Sequence, residues 1–506
     1  MLSRVFTASV LGIDGVVVEV EVDISGGLPT FHIVGLPGEE IRESRDRIRA
    51  ALNNNGFEYP ARRIIVNLAP ATLRKEGASF DLPIAVGIIL ASGQAVAAGD
   101  RNYLIVGELS LDGVLKRVRG ALCMVSAVSS LDLTGVILPE GNALEACVCT
   151  EKPVYGVKSL LDVVGILTGD REPARAEPPA ACTETIERGG VDFCEVRGQQ
   201  HARRAVEVAA AGAHNLLMVG PPGSGKTMIA RRIPTVLPAM STAEAIETTK
   251  IFSVAGKLGR DGLLAARPFR APHHTISEPA LVGGGLVPRP GEVSLANHGV
   301  LFLDEFTEFK RTSLEVLRQP LEDRVVTISR SRATATFPAN FMLVAAMNPC
   351  PCGNLTDPAK HCRCSVRDIE RYRRKISQPI LDRIDIHIDV PPAKYRDLAD
   401  RADGGTSAAI RDRVGQARAL QEVRFRRSRG VFANSQMTVV QIKTHCRVDA
   451  SGEDLLRAAS LRLGLSARSY SKVLKIARTI ADLAGRDALE PGHIAEAIQY
   501  RSFDQV

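Results

Sequence analysis

The sequence predicts a mixed α/β protein of several domains, with a β-rich first third, a central domain on a parallel sheet and a helical end. Three observations predict it. At 506 residues the chain exceeds what one hydrophobic core supports. Between Val191 and Val390, short apolar runs (HNLLMVG, GVLFLDE, FMLVAAMN, IDIHIDV) alternate with helical stretches, as parallel strands and their crossover helices do. From Pro391 onward the spacing is that of helices.

Taken in order, residues 1–168 interleave VVVEVEVDI, RIIVNL, YLIVGEL and GVILP with helical EEIRESRDRIRAALNNNG and PIAVGIILASG, which specifies an α+β domain. Residues 169–190, GDREPARAEPPAACTETIERGG, are rich in Pro, Glu and Ala without apolar periodicity and read as a linker. Residues 191–390 form the central domain, and residues 391–506 are enough for a helical lid.

A hydrophobic content of 45% and a charged content of 24% are those of a globular protein, and the longest apolar runs, such as LPIAVGIILASG, are shorter than a bilayer span. The first residues, MLSRVFTASVLGIDGVVVEVEV, are broken by Asp14 and read as strands, not as a signal peptide, so a cytoplasmic location without a membrane partner is expected. There the ten cysteines stay reduced and serve as buried thiols or metal ligands. The net charge is +7, and from Arg396 to Val506 there are 19 Lys/Arg against 13 Asp/Glu. The arginines from Arg411 to Arg429 are dense enough to attract a polyanion or to form a solvated helix face.

The run LLMVGPPGSGKTMIARR carries G-x4-G-K-T directly after a strand and opening a helix. Gly220, Pro221, Pro222, Gly223, Ser224 and Gly225 form the nucleotide-binding loop, whose glycines let backbone N–H groups approach the phosphates; Lys226 reaches the β- and γ-phosphates of ATP, and the Thr227 hydroxyl is a Mg²⁺ ligand. GVLFLDEF delivers Asp304, for Mg²⁺, and Glu305, to polarise the attacking water, at the end of a buried strand. Another apolar strand ends at Asn348, an amide suited to positioning water beside the γ-phosphate. In LDRIDIHIDV, Arg383 opens the next strand, where a guanidinium can act as an arginine finger toward a neighbouring subunit.

These motifs identify the chain as a resemblance to the AAA+ ATPases and, within them, to the magnesium chelatase-like YifB/ComM family over nearly its whole length. EVRGQQHARRAVEVAAAGAHNLLMVGPPGSGKT, APHHTISEPALVGGGLVPRPGEVSLANHGVLFLDE and LSARSYSKVLKIARTIADL carry it. The resemblance implies a P-loop α/β core and homohexameric rings with ATP held between subunits. It also implies that Arg468, in LSARSYSKVL, is the lid's sensor arginine, touching the γ-phosphate of its own subunit.

LRKEGASFDLPIAVGIIL and VGELSLDGVLKRVRGAL resemble the Lon-protease-like, ribosomal S5 domain 2-like fold, with Ser79 where a dyad serine would lie. Leu122 stands where that pattern wants lysine, and a serine without a base is a poor nucleophile, although Lys75 and Lys116 are near in sequence. An inert oligomer-building or DNA-facing module is therefore expected.

NPCPCGNLTDPAKHCRC places Cys350, Cys352, Cys362 and Cys364 as two C-x-C pairs on a Gly/Pro-rich loop, which suits a structural Zn²⁺. TISRSRATATF reads as a hairpin with Arg330 and Arg332 at its tip. The order of acidic strand end, helix, hairpin and asparagine strand is similar to that of minichromosome maintenance helicases, whose hairpin carries a basic DNA contact into the ring's channel. Arg330 falls at that place, and the glycine-rich LVGGGLVPRPGEVSL offers Arg289 on a second loop.

The resemblance implies an ATP-hydrolysing motor acting on single-stranded or branched DNA, as ComM-like helicases do in branch migration. Two alternatives stand beside it: a magnesium chelatase-like ATPase remodelling a protein partner, and an ATP-dependent Lon-like peptidase.

Overall fold

The computed structural model describes residues 1–99, 102–130, 132–172, 174–177, 191–259, 262–330, 334–392, 405–428 and 430–501. The chain begins with β1 (Leu2–Leu11), β2 (Asp14–Ser25), β3 (Thr30–Val34), β4 (Arg63–Ala69) and β5 (Tyr103–Ile105). A small hairpin of β6 (Glu108–Leu109) and β7 (Leu115–Lys116) follows, then β8 (Gly135–Pro139) and β9 (Val154–Val157). Seven of these strands form one sheet in the order β3-β4-β2-β1-β5-β8-β9, antiparallel where β2 meets β1 and β4 and parallel elsewhere. The alternation in VVVEVEV turns Val18, Val20 and Val22 into the core, while Arg4 stands 3.4 Å from both Glu19 and Glu21 on the other face. The helix Asp81–Ala91 is apolar all round because it is buried all round.

The start of the expected linker belongs to this first unit. The Ala176 amide donates to the Val154 carbonyl (2.8 Å) and the Cys147 thiol to the Ala176 carbonyl (3.3 Å), extending the β9 edge. Residues 178–190, including Cys182, lie outside the described residues.

The second sheet positions the candidate site. Its strands are β10 (Leu216–Val219), β11 (Phe269–Arg270), then, after two short strands β12 (Gly283–Gly284) and β13 (Arg289–Pro290) that pair only with each other, β14 (Val300–Leu303). A hairpin of β15 (Val325–Ser329) and β16 (Thr334–Pro338) precedes β17 (Met342–Met347) and β18 (Ile386–Asp389). The order is β11-β14-β17-β10-β18 and every pairing is parallel. All residues of β10, β14 and β17 are buried, as expected of strands with helices on both faces. Truncating one of them, Leu217→Ala for example, removes about 2–5 kcal/mol.

Among the described residues the α-helices Ser407–Phe425, Val439–His445, Ala450–Leu463, Ala467–Leu483 and Pro491–Gln499 follow. Several arginines of the first of these helices have partners within the chain. Arg424 makes a paired bond to the buried carboxylate of Asp482 (2.6 and 2.7 Å), Arg413 pairs with Glu207, and Arg418 donates to the Ala210 carbonyl (3.2 Å). These side chains tie the lid together and to the core, and Arg429 lies outside the described residues.

The first unit packs on the second. The Gly120 amide donates to the Ser253 carbonyl (3.1 Å), and the buried Glu145 accepts from the Ser253 hydroxyl (2.9 Å). At Gly12, in the β1–β2 turn, φ is +67° and a Cβ would stand 2.9 Å from the Thr336 carbonyl of β16, so only glycine lets this turn seat against the hairpin. No described helix is long and apolar enough to cross a membrane.

Candidate nucleotide site

The loop after β10 runs through Gly223 (φ +78°) and Gly225 (φ +93°) into the helix Lys226–Val236. A Cβ on Gly220 would lie 2.2 Å from the Val390 carbonyl, so the loop passes this close to the end of β18 only as glycine. Lys226 is 8% exposed, and its ammonium donates to the carbonyls of Gly220 (2.7 Å) and Pro221 (2.9 Å) and to Asn348 Oδ1 (3.4 Å). Burial pulls it below the usual lysine range against the attraction of Asp304. Because β17 lies between β14 and β10, Asn348, Asp304 and Lys226 meet at the C-terminal ends of three adjacent strands. The Thr227 hydroxyl donates to Asp304 Oδ2 (2.6 Å).

Glu305 turns out of this line. Its φ of +52° ends the strand sharply, its side chain is 60% exposed, and its Oε2 stands 3.1 Å from His274 Nδ1. His274 was not singled out from sequence, although its neighbour-pair HH in APHHT was the available signal. It stacks on His273 and meets the ring edge of Phe309.

Arg383 and Arg468 stand together, but not here. Both guanidiniums bond to Glu322, Arg468 at 2.6 Å, and they hold its carboxyl below the usual range, Arg383 foremost. Arg383 also donates to the Pro379 carbonyl (2.7 Å), and its buried Nε has no hydrogen-bond partner among the described residues. This pair lies at the N-terminal end of the sheet. Asn215, which precedes β10, donates to the Arg383 carbonyl (2.9 Å), whereas the phosphate loop follows β10 at Gly220. Four residues of strand put roughly 13 Å between the two ends. Arg468, expected at the phosphates of its own subunit, bonds Glu322 here and not the phosphate loop. The lid helix Ala467–Leu483 is fixed to the start of β18 by Lys472, which donates to the Ile384 carbonyl (2.9 Å) and pairs with Asp385 (3.3 Å).

Around Arg383 and Arg468 opens a cavity of about 1110 Å³ whose lining includes eight Lys/Arg against five Asp/Glu. It is an anion-attracting space remote from the chain's own phosphate loop.

The other expected site residues are placed as follows. Arg330 follows β15 directly, exposed, and its guanidinium lies 3.6 Å from where a Gly284 Cβ would be, beside the β12–β13 pair that carries exposed Arg289. Arg332 lies outside the described residues. Cys350, Cys352, Cys362 and Cys364 bring their sulfurs within 4.8 Å of one another. Leu122 is fully buried in the helix Ala121–Ser126, and Lys75 spends its ammonium on the carbonyls of Gly35, Leu68 and Pro70, so neither supplies Ser79 with a base.

Three family models match: "Magnesium chelatase, subunit ChlI" at residues 192–398, "Subunit ChlI of Mg-chelatase" at 20–142, and "Magnesium chelatase, subunit ChlI C-terminal" at 404–501. The chain is 43% identical over 510 residues to competence protein ComM of Haemophilus influenzae, covering 99% of this chain and 97% of that one. It belongs to the magnesium chelatase-like YifB/ComM family. YifB of Escherichia coli K12 is 40% identical over 508 residues, 100% of this chain and 98% of its own. A weaker match, 25% over 225 residues, is to Lon protease 2 of Bacillus subtilis, covering 39% of this chain and 40% of that one. The family is one of AAA+ ATPases, and membership supports ATP and Mg²⁺ as ligands.

Proposed function

We propose that the protein is an ATP-hydrolysing motor that acts on DNA as a homohexameric ring. The nucleotide sits on Gly220–Thr227 of one subunit and is completed by Arg383 and Arg468 of the next. The observation that carries the reading is the division of the site: phosphate-binding groups at one end of the sheet, and two arginines in a basic cavity at the other, occupied by Glu322 where an incoming phosphate would bind. A head-to-tail ring apposes those ends, as a heterologous interface must.

In hydrolysis the backbone of the loop and Lys226 hold the β- and γ-phosphates. The hydroxyl of Thr227 and carboxylate of Asp304 form a hard-oxygen pair that would hold Mg²⁺, which neutralises phosphate charge when bound. Glu305 takes the proton of a water that Asn348 orients; the water's oxygen bonds to the γ-phosphorus as the bond to the β–γ bridging oxygen breaks, giving ADP and phosphate. His274 holds the Glu305 carboxylate in place. Arg383 and Arg468 of the adjacent subunit meet the developing charge.

The DNA contact is assigned to the two adjacent hairpins that carry Arg330 and Arg289, with phosphates as the target, because arginines without a neighbouring aromatic suit backbone contacts. The relative named a competence protein is in keeping with this. The test is ATPase activity with and without single-stranded, duplex and branched DNA. Arg330→Ala is expected to preserve basal hydrolysis, to reduce DNA stimulation, and to flatten the salt dependence of DNA binding by about one counterion. Unchanged DNA affinity and stimulation in Arg330→Ala, Arg332→Ala would instead favour the chelatase-like remodelling of a protein partner.

A further inference from the structure

We propose that the four cysteines bind one Zn²⁺ ion, and that this ion is a clamp on the nucleotide site, holding Asn348, the phosphate loop and the segment after Glu305 in one arrangement. The inference rests on the role given to Asn348 above.

The sulfur geometry selects a single ion. Cys350 and Cys352 are 3.4 Å apart, Cys350 and Cys362 3.7 Å, and Cys352 and Cys362 3.6 Å, with Cys364 inside the same 4.8 Å sphere. A Zn–S bond of about 2.3 Å puts the sulfurs of a tetrahedron about 3.8 Å apart. An iron–sulfur cluster needs its thiolates spread around a core of several atoms, and these are too close for one. Four soft thiolates with no oxygen donor favour Zn²⁺ over the hard cations.

Three contacts link that ion to the site. Cys350 follows Asn348 by two residues and is fully buried, so fixing its sulfur fixes the end of β17, where Asn348 Oδ1 meets Lys226. Gly353, in the turn between the two thiolate pairs, lies against the phosphate loop: with φ at +78°, a Cβ there would stand 2.5 Å from Pro222 Cδ and 2.9 Å from its Cγ. The second pair leads into the helix Val366–Arg373, whose Tyr372 hydroxyl accepts from Thr307 Oγ1 (2.6 Å), two residues beyond Glu305. Three of the four thiolates are not enclosed by packing: Cys352 is exposed and Cys362 and Cys364 are half-buried. A metal would supply the cross-link that packing does not.

The full chain, purified without chelator, is expected to carry about one zinc per chain by atomic emission. Replacement by Co²⁺ should give the intense visible bands of a tetrahedral thiolate site. Cys352→Ser, Cys364→Ser should lose the metal and slow DNA-independent ATP hydrolysis at saturating ATP by about 10- to 100-fold. Adding Asn348→Ala to that variant should cost little more, since both changes disable one positioning device. Should the serine variant fold poorly, wild-type protein stripped with a zinc-selective chelator and reloaded serves instead, with hydrolysis expected to fall and return. Metal-free chains with free or disulfide-paired thiols would overturn the site. Full hydrolysis in the stripped protein, or fully additive losses with Asn348→Ala, would overturn the clamp. Because this assay contains no DNA, its outcome is separable from that of the DNA-motor reading.

Discussion

The two ends of the central sheet are built differently. At the C-terminal end, Lys226 meets Asn348 and Thr227 meets Asp304; Asp304 and Asn348 each directly follow a strand, and Lys226 and Thr227 open the helix after the phosphate loop. At the N-terminal end, Arg383 and Arg468 converge on Glu322 beside a basic cavity, yet nothing phosphate-binding within the described chain faces them. On the proposed reading, one subunit holds two halves of a site that it cannot join by itself, and subunit contact would decide when hydrolysis occurs.

The sharpest way to break this comparison is within the phosphate end. Lys226→Ala is expected to abolish measurable ATP binding, whereas Glu305→Gln should bind ATP and hydrolyse it about 10²- to 10⁴-fold more slowly, having lost only the base. Equal loss of affinity in both, measured with a fluorescent nucleotide, would remove the distinction between cradle and base.

At the other end, Arg383→Ala should retain nucleotide affinity while hydrolysis falls by about 10³-fold, as for other arginine fingers. Arg468→Ala should act in the same direction, by roughly tenfold to a hundredfold in kcat. A subunit dilution series should show both losses only where rings form.

A smaller effect separates the ends by pH. His298 lines the basic cavity, where burial pulls its pKa down but bonds to Glu244 (3.3 Å) and Glu247 (2.6 Å) outweigh this and raise it. With the folded value above the unfolded value of about 6.5, its stabilisation is complete below that pH and is lost as pH rises through the raised value. The loss should appear as a falling apparent Tm across that window, and His298→Gln should flatten the fall.

The phosphate end was legible because its chemistry is written contiguously: G-P-P-G-S-G-K-T after a strand, L-D-E after another. Likewise the two C-x-C pairs announced their own convergence. The arginine end was not legible to the same degree. Glu322, Arg383 and Arg468 are distant in sequence and meet only because β18 lies beside β10 and the lid helix anchors on Asp385 through Lys472. Motif resemblance placed Arg468 toward its own phosphates; the packing of that helix puts it at the other end. Charge density cannot reveal that Asp482 of the lid pairs with Arg424 and that Glu207 of the core pairs with Arg413. Local composition likewise hid the attachment of Ala176 to the β9 edge.

The central claim, that each site is shared between subunits, is tested most directly by mixing. Lys226→Ala subunits lack the cradle but keep Arg383 and Arg468; Arg383→Ala, Arg468→Ala subunits keep the cradle but lack the arginines. Each is expected to be inactive alone. In an even random mixture about one quarter of head-to-tail interfaces join an intact cradle to intact arginines, and ATP hydrolysis should return in proportion. Mixed rings that demonstrably form and recover no hydrolysis would contradict the account.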